Sequence, residues 1–131
     1  MVGFGGYSRS GLKSMQALGR LPVGAMNKTE AAYDAHLAGL QMTGQILWRK
    51  FEGIKLRLAD NTFYTPDFFV MDADRGLVVH EVKGFMTDDA AVKIKVAAEL
   101  YPIFRFFLAR TRLKKDGGGF SVVEVSRANP D

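Results

Sequence analysis

Residues 65–83 read Thr65-Pro66-Asp67-Phe68-Phe69-Val70-Met71-Asp72-Ala73-Asp74-Arg75-Gly76-Leu77-Val78-Val79-His80-Glu81-Val82-Lys83. Two apolar runs flank a polar connection, the pattern of an antiparallel hairpin. If residues 72–76 form the connection, Met71 pairs with Leu77, and the same register sets Asp67 across from Glu81. Directly opposed residues have side-chain roots about 4.5–5.5 Å apart, and like charges there are destabilising. A cation between them removes that penalty. Side chains alternate along a strand, so Lys83 shares the face of Glu81 while His80 and Val82 point to the other. Pro66 has no amide to give to a ladder, so the strand should bend or unpair there and help to aim Asp67. Two carboxylates and a lysine are therefore expected to converge at one point.

Upstream, Asn27 is a good helix N-cap and Glu30, three residues on, completes a capping box. The apolar stripe of this helix is Tyr33, Leu37 and Leu40. Glu30 extends the stripe backwards, which gives it two readings: the capping acid alone, or a further metal or water ligand reaching the site from the first helix. Strands are expected over 46–51, 54–58 and, after the Asp60-Asn61 turn, 63–70, then 77–83. Downstream, Thr87 or Asp88 caps a helix running to Tyr101 and closed by Pro102, with Val92, Val96 and Leu100 as its buried stripe. The near-continuous apolar run 103–108 reads as a strand covered on both faces, and 120–125 as a last strand after Gly117-Gly118-Gly119. The connection from Lys83 to Ile103 is long enough for a parallel crossover. The fold class is therefore α/β: a mixed central sheet flanked by helices. A single domain spans 26–131, behind a flexible, glycine-rich basic arm at 1–25.

Composition bounds the function. The chain has 131 residues, of which 47% are hydrophobic, enough for one core. No cysteine is present, which excludes disulfides, thiolate nucleophiles and sulfur-ligated zinc. No apolar stretch approaches the roughly 18 residues of a membrane span, and the N-terminal segment lacks the apolar stretch of a secretory signal, so a cytoplasmic protein without a membrane partner is expected. The net charge is +4, with Arg9, Lys13 and Arg20 in the arm and Arg105, Arg110, Arg112, Lys114 and Lys115 near the C-terminal end. Such clusters favour a polyanion, nucleic acid before membrane. Lys93 and Lys95, two apart on a helix, cannot share a face; both are candidate phosphate contacts. Trp48, Phe104, Phe106 and Phe107 are expected in the core rather than as base-stacking platforms, and His36 on the helix surface.

Phosphodiester hydrolysis needs an activated water, charge neutralisation on the phosphate and help for the leaving oxygen. Asp67 and Glu81, with the Val82 carbonyl, are suitable hard ligands for Mg²⁺, and Lys83 is placed to orient water or stabilise developing charge. His80, on the other face, stands apart from this chemistry.

Pro66-Asp67 and, fourteen positions beyond Asp67, Glu81-Val82-Lys83, behind a helix bearing Glu30 and ahead of a helix-strand crossover, resemble the PD-(D/E)XK nuclease superfamily. The resemblance covers residues 27 to about 109 and implies a restriction-endonuclease-like α-β-β-β-α-β core. Met26-Asn27-Lys28-Thr29-Glu30 with His80-Glu81-Val82-Lys83-Gly84 is similar to a family of small phage and prophage proteins of that superfamily. It implies Asp67, Glu81 and Lys83 as the catalytic set with Glu30 as the helix acid, Mg²⁺ as cofactor with Mn²⁺ substituting, and DNA as partner in a bacterial host. Size and core are similar to those of the superfamily's Holliday junction resolvases, implying a homodimer and selectivity for branched DNA. A single domain of this length favours recognition of DNA structure over sequence. The competing expectation is a catalytically idle nucleic-acid-binding or accessory module on the same fold.

Overall fold

The computed structural model describes residues 24–84 and 88–125; the basic arm lies, save for its last two residues, outside them. The hairpin forms in the expected register, with Met71 opposite Leu77, Val70 opposite Val78, Phe69 opposite Val79 and Phe68 opposite His80. Its turn is closed by the Arg75 N–H donating to the Asp72 carbonyl and by Asp74 Oδ1 accepting from the Gly76 N–H at 2.9 Å.

Around this hairpin the elements run α1 (Lys28–Met42), β1 (Ile46–Phe51), β2 (Leu56–Ala59), β3 (Thr62–Tyr64), β4 (Phe68–Asp72), β5 (Leu77–Lys83), α2 (Asp88–Leu100), β6 (Arg105–Thr111), a 3-10 turn (Lys114–Asp116) and β7 (Phe120–Glu124). The main sheet has five strands in the order β1-β4-β5-β6-β7. Its pairs are antiparallel except β5 with β6, which are parallel. A parallel neighbour requires a crossover, and α2 supplies it. The class is therefore α/β with a mixed sheet, as the sequence leads one to expect.

Asn27 caps α1 through a complete capping box: its side chain accepts from the Glu30 N–H at 2.8 Å, and Glu30 Oε1 accepts from the Asn27 N–H at 2.9 Å. The helix buries Tyr33 and Leu37 against Ile46, Phe68, Val70, Val78, Val82 and Ala109, with Leu40 half-buried beside them. His36 is exposed.

On the other sheet face the structure departs from expectation. The apolar run 63–70 is cut by Thr65-Pro66-Asp67 into β3 and β4. Pro66 is fully buried, so a strand continuing through it would lose a ladder bond. The severed β3 pairs with β2 as a separate two-stranded sheet, which covers α2: Leu56 and Tyr64 pack with Ile94, Ala97 and Ala98, and the Tyr101 hydroxyl donates to the Arg57 carbonyl at 2.7 Å. The buried stripe of α2 is thus Ile94, Ala97 and Ala98, not Val92, Val96 and Leu100, which are exposed. Both stripes are apolar. The small alanines let the helix approach closely, while Tyr64, Phe104 and Phe106 fill the space around it.

The run 103–108 also shifts. Ile103 is exposed and the strand begins at Arg105, with Phe106 buried on the α2 face and Ala109 on the α1 face. Trp48 stands partly exposed at the outer strand, edge-on to Phe69, and is not a core residue as expected. Gly117, Gly118 and Gly119 all have positive φ, at 102°, 65° and 68°. Side chains rarely adopt such a conformation in succession, which explains the triplet between β6 and β7. Among the described residues no helix is long and apolar enough to cross a membrane.

Candidate metal centre

The β4–β5 ladder ends at Phe68 and His80, and one further step in the same register sets Asp67 opposite Glu81. Asp67 keeps a backbone bond to the end of β1, its carbonyl accepting from the Glu52 N–H at 2.8 Å, and two further bonds tie it to β5. Its N–H donates to Glu81 Oε1 at 3.2 Å, and its Oδ2 accepts from the Val82 N–H at 2.8 Å. Glu81 is buried, a costly position for a carboxylate unless it is hydrogen-bonded. Its Oε1 also accepts from the Tyr64 hydroxyl at 3.0 Å, and its Oε2 lies 3.4 Å from Lys83 Nζ. The break at Pro66 therefore does two things: it frees Asp67 to face β5, and it lets β3 carry Tyr64 onto Glu81.

Glu30 meets this group from the end of α1. The first turn of α1 abuts the end of β5, where a Cβ added at Gly84 would lie 3.8 Å from Thr29 Oγ1. Glu30 keeps its capping bond while its charge and a side-chain hydrogen bond act on Asp67. The capping role of Glu30 is therefore shown, and alongside it Glu30 bears on Asp67.

Burial, then the negative charge of Glu81, then Glu30 push the Asp67 carboxyl up from its ordinary range to about 8, with the Val82 amide pulling the other way. Burial and Glu81 likewise raise the Tyr64 hydroxyl above its ordinary value. A carboxyl pushed up by burial and by neighbouring carboxylates is one whose charge a cation would relieve. Hard oxygen donors that could hold Mg²⁺ are the carboxylates of Asp67 and Glu81 and the Val82 carbonyl, whose amide binds Asp67. Among the described residues no three His, Cys, Asp or Glu side chains close around one point, so Glu30 is coupled to Asp67 without completing a cage.

The parallel β5–β6 register pairs Lys83 with Arg110. Arg110 is exposed beside the site, and Arg112, Lys114 and Lys115 continue the exposed basic surface onward from it. Arg105, at the other end of β6, is held by Glu124 at 3.0 and 3.2 Å and belongs elsewhere. Lys93 and Lys95 lie exposed on α2, and Lys93 Nζ donates to the Phe63 carbonyl at 3.3 Å.

His80 lies on the α1 face as alternation requires, with Nδ1 2.5 Å from the Tyr33 hydroxyl. Burial and then His36 lower its pKa to about 4. It lines a cavity of about 430 Å³ with Leu40, Ile46, Asp72, Val78 and Phe107, across the sheet from Asp67 and Glu81. One contributor escaped the sequence reading: Tyr64 carries no motif beyond its place just before the proline break. Arg110 is expected from its basic cluster, but its place beside Lys83 comes from a crossover register that no local pattern specifies. Compared with protein-family models, with curated proteins and with solved structures, the chain matches none.

Proposed function

We propose that the chain is a divalent-metal-dependent DNA endonuclease of the PD-(D/E)XK type, acting on branched DNA in the cytoplasm of a bacterial host. The observation that carries this reading is the convergence of Asp67, Glu81 and Lys83 at one end of the sheet, with Tyr64 and the Val82 amide holding the two acids in place. The element order supports it: with the β2–β3 hairpin set aside, α1, β1, β4, β5, α2 and β6 follow α-β-β-β-α-β. Selectivity for branched DNA rests on resemblance to small resolvases.

Asp67, Glu81 and the Val82 carbonyl would hold Mg²⁺ or Mn²⁺, which would supply an acidified water and polarise the phosphate. Lys83, anchored by Glu81, orients the attacking water and offsets charge developing on the phosphoryl oxygens. Glu30 keeps Asp67 turned toward the centre. Arg110 and the basic residues beyond it take phosphates of the backbone, and Lys93 and Lys95 offer further phosphate contacts along α2.

Labelled duplex, flap, single-stranded and four-way-junction DNA, incubated with Mg²⁺, Mn²⁺ or EDTA, tests the reading. Cleavage of junction DNA with either metal, lost in EDTA and in Asp67→Asn and Glu81→Gln while binding persists, is the expected result. Binding without cleavage under every condition would favour the idle module, and wild-type cleavage by both carboxylate variants would place the centre elsewhere.

A further inference from the structure

We propose that the outer face of the β2–β3 hairpin is a platform for an unpaired base of the DNA substrate, with Phe63 as the stacking ring and Lys55 and Arg57 as contacts to the flanking phosphates, an inference that rests on the reading of the metal centre as a DNA site. The hairpin stands outside the main sheet and outside the α-β-β-β-α-β order. Its inner face is occupied: Leu56 and Tyr64, paired across it, are buried against α2. Arg57 and Phe63, the next pair, face the opposite way, as alternation along a strand requires. Phe63 is 43% exposed, and Lys55 Nζ stands 4.6 Å from the centre of its ring.

The charges around the ring select its partner. Lys55 and Arg57 flank it, and Lys93 Nζ donates to the Phe63 carbonyl at 3.3 Å. The hairpin's acid, Asp60, lies 3.7 Å from Arg57 with both side chains largely in water, a contact too weak to hold the guanidinium against a phosphate. A ring set among cations fits a ligand that joins π faces to negative charge, as a nucleic-acid strand does. Paired bases keep their faces stacked on one another, so an unpaired base at a branch or in a single-stranded arm is the one that Phe63 can take. Position ties the platform to the chemistry. Tyr64, the next residue, donates to Glu81 Oε1 at 3.0 Å, so one phenol side chain separates the hairpin backbone beside Phe63 from the acids. A strand that meets Asp67 and Glu81 with a phosphate therefore passes the platform within a few nucleotides.

Fluorescence anisotropy of the full chain in EDTA, with a labelled blunt duplex and with the same duplex carrying a single-stranded flap, tests this without reading cleavage. Phe63→Ala should weaken flap binding about tenfold and leave blunt-duplex binding unchanged, since stacking of a base on the ring adds to the flap alone. Phe63→Leu, which keeps apolar bulk and loses the π face, should match Phe63→Ala, and Phe63→Trp should bind as the parent does. Salt dependence separates ring from charge. Phe63→Ala should keep the log–log slope on flap DNA, whereas Lys55→Ala should lower it by about 0.7, the loss of one single-strand phosphate contact. Phe63 and Lys55 are both exposed, so circular dichroism of each variant should match the parent. Flap binding indifferent to Phe63→Ala, an equal loss on both DNAs, or Phe63→Leu behaving as the parent overturns the platform and leaves the metal centre as described. Failure to bind either DNA overturns the platform and the DNA reading together.

Discussion

Asp67 carries the sharpest consequence of the site's electrostatics. Its ordinary pKa is 3.8, and in the folded chain it is pushed up to about 8. Over that window the folded state keeps a proton that the unfolded state has lost, so its contribution to stability is complete below about 4 and is lost as pH rises through about 8. His80 acts in the opposite sense: with an ordinary value of 6.5 lowered to about 4, it withdraws stability as pH falls through that range. Thermal melts in EDTA should therefore show stability falling from mildly acidic to mildly alkaline pH, and Asp67→Asn, uncharged throughout, should flatten that limb and melt higher than the parent at its alkaline end. An unchanged slope would mean that burial and the neighbouring carboxylates do not raise the Asp67 carboxyl as described. Lys83→Ala should leave metal binding, followed by Mn²⁺ titration calorimetry, nearly unchanged while slowing single-turnover cleavage roughly a hundredfold or more. Loss of Mn²⁺ affinity in that variant would make Lys83 a support for Glu81 rather than a catalytic group.

At the scale of elements, α2 shows where sequence reading succeeds and where it stops. Its existence and its C-terminal end follow from a periodic run and Pro102, while Thr87, the expected cap, lies outside the described residues; the helix carries two apolar stripes of similar period, and periodicity cannot say which one packs. The choice belongs to tertiary fit: Ala97 and Ala98 admit the close approach that Tyr64, Phe104 and Phe106 demand. Ile94→Ala should accordingly cost about 2–4 kcal/mol, whereas Val96→Ala should change stability by less than about 0.5 kcal/mol. Chemical denaturation of both variants checks the assignment, and a reversed order would restore the stripe that the sequence alone suggests. The hairpin register, from Met71 with Leu77 to Phe68 with His80, was legible because a short turn and a two-residue period fix it locally, although β4 runs on through Asp72, one residue into the expected connection. So was the α1 cap, whose partners are three positions apart. The β2–β3 pair left the main sheet because Pro66 cut a run that reads as continuous, and only the break, not its outcome, is visible in the sequence.

Across the whole molecule the basic residues sort by where the strands end. Lys83 and Arg110 stand side by side at the shared C-terminal end of β5 and β6, and Arg112, Lys114 and Lys115 extend that positive surface, while Arg105 at the opposite end is neutralised by Glu124. One end of the sheet thus combines the acids that suit a cation with the cations that suit phosphate. The sequence shows the cluster; only the parallel crossover brings it to the acids. If DNA lies along this end, affinity should fall steeply with salt, with a log–log slope near −0.9 per phosphate contact on duplex arms. Arg110→Ala and Lys115→Ala should each weaken binding similarly across sequences and reduce the slope by about one. Arg105→Ala should do neither, because its guanidinium is engaged by Glu124 on the other side of the fold. Fluorescence anisotropy with labelled junction DNA over a salt series separates these cases. An Arg105 effect equal to that of Arg110, or a slope indifferent to every one of these substitutions, would mean that nucleic acid meets a different face of the molecule.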